Sequence, residues 1–180
     1  MLHCMIDRRV WVNKNCGLVI IWGSSMDTIA TRACVGFSAG SIAVLTFHQG
    51  LSEVFLRVGL PTHGGFRISP TWPFGLPSIV SLCFWGGIYG IAFAVSVRGR
   101  PTSLWRQGLL MGLLAAAIGL FIVTPLKGHG IAYHGALWPI GRAMILNLSW
   151  GLGMGLLLPL LWPRPLTTPP AEPSLRPAEA

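Results

Sequence analysis

The scarcest feature of this chain is charge, and negative charge above all: its 180 residues carry 5 Asp and Glu against 13 Lys and Arg. Charged residues make up 10% of it, where an ordinary soluble domain has about a quarter. With 52% hydrophobic residues and a mean hydropathy of +0.63, that shortage excludes an intrinsically disordered chain and argues against a water-soluble one. Catalytic signatures are lacking as well. No G-x-S-x-G, H-E-x-x-H, phosphate-loop or dinucleotide-binding pattern occurs, and Glu53 is the sole carboxylate in or beside an apolar run. Paired-carboxylate acid and base chemistry is therefore unsupported, and the expectation is a protein with no cofactor and no enzymatic activity of its own. Cys4, Cys16, Cys34 and Cys83 form no C-x-x-C pair, and Cys34 and Cys83 fall in apolar segments where a thiol behaves as a small hydrophobe. A basic stripe with interleaved aromatics is missing too. The Lys and Arg residues stand singly or in short groups between apolar runs, which argues against nucleic acid as a partner and for a lipid bilayer.

What is present is length of apolar chain. Spanning a hydrocarbon core of about 30 Å takes roughly 20 helical residues, and four segments reach that: Ala33 to Leu56, Pro77 to Val97, Trp105 to Leu126 and Leu137 to Trp162. Strand-type alternation is absent and backbone groups in lipid must be satisfied within the chain, so the expected fold is all-α, an integral membrane bundle of four transmembrane helices. The first span is the least clean, since its apolar part ends at Phe47 and His48, Gln49, Ser52 and Glu53 follow. With the N-terminus inside, nine basic residues fall on the cytoplasmic side (among them Arg8, Arg9, Arg32, Arg98 and Arg106) and four outside, Arg57, Arg67, Lys127 and Arg142. The bias predicts both termini in the cytoplasm. Trp72, Trp105, Trp138 and Trp162 near the helix ends agree with it.

Residues 1–32 read as a cytoplasmic lead. The apolar piece from Gly17 to Trp22 is too short to span, and the convincing cleavage site that would make Arg8-Arg9 a twin-arginine export signal is missing. Translation beginning at Met26 is one reading of this stretch, and dropping residues 1–25 leaves six basic residues inside against four outside. After Trp162, six prolines in eighteen residues exclude a persistent helix or strand, so residues 163–180 are expected to form a disordered tail. A polyproline ligand is the alternative reading of that tail.

Each span carries a G-x-x-x-G spacing: Gly36 and Gly40, Gly86 and Gly90, Gly108 and Gly112, Gly151 and Gly155. Two glycines one turn apart on one face let helix backbones approach, which matters in lipid, where no hydrophobic drive remains between helices. The spacing predicts a close-packed bundle, with a homodimer or docking onto a larger membrane complex as the alternatives.

Ionisable residues inside a bilayer are functional candidates. Counting from Arg32 at 1.5 Å per residue puts His48 roughly 6 Å below the outer surface, the depth at which Arg142 enters the fourth span. Gln49, Glu53 and Arg57 follow at i, i+4 spacing, so Glu53 can pair with Arg57 along the helix or with Arg142 across the bundle. Asn147 lies deeper, and its Asn-Leu-Ser triplet is discounted as a glycosylation sequon because a buried helix cannot accept the sugar. The candidate cluster is thus His48, Gln49, Glu53, Arg142 and Asn147. It is either a polar set that fixes helix register or a ligand, proton or ion site open to the outer side. His48, His63, His129 and His134 would share the outer half, but His129 and His134 are five apart in a glycine-rich loop with no Cys or Asp beside them, so no metal site is expected.

Residues 36–50 (GFSAGSIAVLTFHQG) and 73–87 (PFGLPSIVSLCFWGG) make the chain look like a group of small uncharacterised four-span bacterial inner-membrane proteins, over the region from Met26 to Trp162. The resemblance implies a bacterial inner membrane and a chain beginning near Met26, and brings no activity with it. The expectation is therefore a structural or accessory subunit of a membrane complex, with a small transporter or ion-conducting protein as the alternative.

Overall fold

The computed structural model describes residues 28–71, 74–97 and 103–162. The expectations for the N-terminal lead before Thr28, for Trp72, and for the tail after Trp162 lie outside the described residues. Within them are four helices long and apolar enough to cross a membrane: α1 (Ile29–Arg57), α2 (Ser78–Ser96), α3 (Leu104–Leu126) and α4 (Leu137–Leu161). The shortest, α2, has 19 residues and at 1.5 Å per residue covers about 28 Å, close to the thickness of a hydrocarbon core. α1 starts before Arg32 and runs on through the polar stretch after Phe47, so that its last two turns carry hydrogen-bonding side chains.

Only 28% to 39% of the most apolar stretch of each helix is buried inside the protein. Large apolar side chains such as Phe84, Leu110, Phe121 and Leu160 therefore point outward, which is the surface that acyl chains cover in a membrane-spanning bundle.

Two helix pairs make up the fold. α1 packs along α2, α3 packs along α4, and α1 against α4 joins the pairs, while α2 and α3 scarcely touch. Both pairs meet through glycine. A Cβ on Gly36 would strike the Gly90 carbonyl, and one on Gly40 the Gly86 carbonyl. In the second pair a Cβ on Gly108 would strike the Gly151 carbonyl, and one on Gly112 the Asn147 carbonyl. Backbones this close gain dispersion and weak Cα–H···O contacts that no larger residue permits. Between the pairs, the Trp150 indole donates Nε1–H to the Gly40 carbonyl at 3.0 Å, and the Phe47 ring lies on Gly153.

The buried core gathers toward the Arg32 end of the bundle, where Ala39, Phe93, Ala94, Met154 and Leu158 pack together with Val97, Leu104 and Trp162 around them. Arg32 closes that end by donating to the Val97 carbonyl at 2.9 Å and lying over the Trp162 ring at 5.6 Å. The opposite, Lys127 end is built differently. In α1 and α3 the regular helix gives way to a wider, π-type stretch, Val44–Gln49 and Gly119–Val123, a feature that recurs at functional sites. A two-residue hairpin, β1 (Pro70–Thr71) with β2 (Leu76–Pro77), pairs Pro70 with Pro77 and leads into α2.

Candidate functional site

The Lys127 end holds every residue of the expected polar cluster, and the structure divides them between two tasks. One group holds the loop that follows α1. Gln49 is 4% exposed, and its Oε1 accepts the Phe66 N–H at 2.8 Å. Ser52 donates to the Gly64 carbonyl at 3.0 Å, and Glu53 Oε2 accepts the Gly65 N–H at 3.4 Å. The geometry demands the two glycines: Gly64 has φ +74°, and a Cβ on Gly65 would strike the Gln49 carbonyl. Phe66 itself has φ 55°, a costly conformation for a residue with a side chain, and the buried Gln49 carboxamide holds it there. From α4, Arg142 donates to the Thr62 hydroxyl at 3.2 Å and Trp138 Nε1 to the Pro61 carbonyl at 2.7 Å. Of the two partners open to Glu53, the structure selects Arg57, at 3.1 Å along the helix; Arg142 is engaged with the loop.

The second group faces inward. His48 and Asn147 line a cavity of about 460 Å³ between the four helices, within the range of small-molecule sites. Its lining runs from Val44, Tyr89, Ala115 and Trp150 past Ser81 and Ile118 to Leu126 and Lys127. The Asn147 Nδ2 donates to the Ala143 carbonyl at 2.8 Å. His48 Nδ1 meets the Gln49 Nε2 at 3.1 Å, so the adjacent residues His48 and Gln49 touch each other while serving the cavity and the loop respectively. Tyr89 packs edge-on against Trp150 at 6.0 Å between ring centres.

Ser81, Trp85, Tyr89 and Lys127 join the site without having been singled out for it. A signal existed: Ser81, Trp85 and Tyr89 recur at i, i+4, i+8, which puts them on one face of α2. Trp85 is 57% exposed and Leu126 70% exposed although both line the cavity. The cavity therefore opens sideways between α2 and α3, as well as toward the Lys127 end.

No group of three or more His, Cys, Asp or Glu side chains comes together among the described residues. His129 stacks on Tyr133 at 5.8 Å in the loop between α3 and α4, and His63 and His134 are exposed.

No family model matches the chain, and no solved structure matches it. Curated proteins do: over 80 residues, 43% of this chain, it is 29% identical to the UDP-galactose translocators of Mus musculus and Homo sapiens and 28% identical to that of Bos taurus. The chain spans 20% of the length of those relatives, so what the molecule shows directly is a small multi-span membrane protein with distant similarity to translocators.

Proposed function

We propose that this chain is a small transporter whose substrate cavity is the space around His48, Asn147, Tyr89 and Lys127. The observation that carries the reading is the cavity's one-sidedness. Its lining runs from the Lys127 end to Trp150 in the middle of the bundle, and beyond Trp150 the contacts of Gly36 with Gly90 and of Gly108 with Gly151, together with those of Arg32, close the remaining half. A cavity open to one side and sealed on the other is the form a carrier takes in one of its two states. The similarity to translocators supports the same reading. In this proposal the protein sits in a bacterial inner membrane with both termini cytoplasmic, and the cavity opens outward. It binds and moves a solute without catalytic chemistry of its own.

A structural or accessory subunit is the second reading, and one observation favours it: Gln49, Glu53 and Arg142 hold a loop and leave the cavity to other residues. The readings separate in one experiment. A cysteine placed at Asn147, with Cys4, Cys16, Cys34 and Cys83 replaced, is treated in sealed vesicles with a membrane-impermeant maleimide added to one face and then, separately, to the other. A transporter exposes this position to both faces in turn and is labelled from each. Labelling from the Lys127 face alone, together with a stoichiometric partner recovered in mild detergent, would make the chain a subunit. Counterflow of radiolabelled UDP-galactose in proteoliposomes is the first flux to measure.

A further inference from the structure

We propose that the cavity receives an anionic amphiphile from the bilayer, its apolar chain lying in the opening between α2 and α3 and its acidic head held at Lys127. The inference deepens the transporter reading by naming a substrate class.

Charge supports it first. Lys127 lines the cavity, and its ammonium has no hydrogen bond or ion pair with the described residues. Among the described residues no carboxylate lines the cavity; Glu53 is engaged by Arg57 and the Gly65 N–H. A site with an unopposed cation and no acid favours anions and repels cations, and the effect is strong beside a low-dielectric wall. Ser81 and Asn147 add neutral hydrogen-bonding groups further in, suited to an oxyanion and its neighbouring oxygens.

Shape supplies the second argument. A site for a wholly polar anion would be walled from lipid, because an acid facing hydrocarbon is costly. Here the side wall is missing. α2 and α3 scarcely touch, and Leu82, Trp85, Val123 and Leu126 line or flank an opening that faces where the acyl chains run. An apolar chain can lie in that opening without leaving the hydrocarbon, while the head it carries reaches Lys127 at the level of the membrane surface.

The test uses the full chain in phosphatidylcholine nanodiscs, with Ser81→Cys as the only cysteine, and measures how fast a maleimide labels it. Dodecyl phosphate is expected to slow labelling saturably, and Lys127→Gln to raise the half-protecting mole fraction about tenfold, with Lys127→Arg restoring protection. Dodecyltrimethylammonium at the same mole fractions is expected to leave the rate unchanged. Equal protection by the two amphiphiles would overturn charge selection. Protection by inorganic phosphate as good as that by dodecyl phosphate would show an anion taken from water and overturn the lateral route. An unaltered half-protecting value in Lys127→Gln would show that Lys127 merely reaches the headgroups. Protection that persists where Asn147→Cys labels from one face only would sink the transporter reading and leave this one standing; two-faced labelling with no protection would do the reverse.

Discussion

The two ends of the bundle are held by different means. At the Arg32 end, glycines bring backbones into contact and small or apolar side chains fill what remains, leaving a dense core with one arginine across it. At the Lys127 end, the helices diverge around a cavity, and stability comes from hydrogen bonds between helix side chains and a loop. Packing of the first kind tolerates almost no change in volume. The second kind depends on a few polar pairs and leaves a cavity between the helices. The difference shows how a short chain can combine close helix packing at one end with an open interior at the other.

Five substitutions test that contrast. The largest effect is expected from Gly40→Ala, since its methyl group would collide with the Gly86 carbonyl and the α1 and α2 backbones must separate. A loss of up to about 3 kcal/mol should appear as a lower unfolding midpoint in a denaturant titration in detergent. Next comes Gln49→Leu, which leaves the Phe66 N–H without its partner at a cost of about 1 to 3 kcal/mol. The 61–66 loop should then be nicked faster by added protease, while the glycine contacts persist.

Gly119→Ala reverses the sign. Nothing lies within 4 Å of a Cβ there, so the gain in helix preference, roughly 0.5 to 1 kcal/mol, should raise the midpoint. A drop instead would mean that the open half is packed as densely as the closed one. Trp150→Phe keeps an aromatic ring against Tyr89 but removes the bond to the Gly40 carbonyl. Hydrogen bonds between membrane helices average about 0.6 kcal/mol, and a midpoint shift of that order is expected. The smallest effect belongs to Arg57→Ala. Arg57 is 77% exposed, ion pairs so placed contribute little, and Glu53 still accepts the Gly65 N–H; the midpoint should stay where it is.

The sequence revealed the four spans because hydrocarbon thickness dictates their length, and the G-x-x-x-G spacing because helix geometry puts its glycines on one face. It did not reveal which glycine meets which, since that depends on the facing helix. The polar cluster shows the same limit. Depth along a helix follows from residue number, which is how His48, Gln49, Glu53, Arg142 and Asn147 could be grouped as one candidate cluster. Direction around the helix relative to its neighbours does not follow. His48 and Gln49 are adjacent and so point in different directions around the helix axis, one to the cavity and the other to Phe66. The cavity itself was illegible because its lining is distributed over all four helices. The wider stretches in α1 and α3 carry no residue pattern that distinguishes them from ordinary helix.

Those stretches set a phase. Each begins after fifteen residues of regular helix, Ile29–Ala43 and Leu104–Ile118, and a π-type turn accommodates an additional residue. Upstream of Val44 the phase of α1 is fixed by Gly36 and Gly40 against α2; downstream it must present Gln49, Ser52 and Glu53 to the 64–66 loop. Closing that turn into regular helix with no residue removed would rotate everything beyond it by about 100°, taking all three side chains off the loop together while leaving the glycine contacts in place, whereas deleting one residue from Val44–Gln49 would let the turn close with both alignments kept. The π-type turn is the molecular equivalent of a spacer between two gears, which lets two otherwise incompatible alignments share one helix.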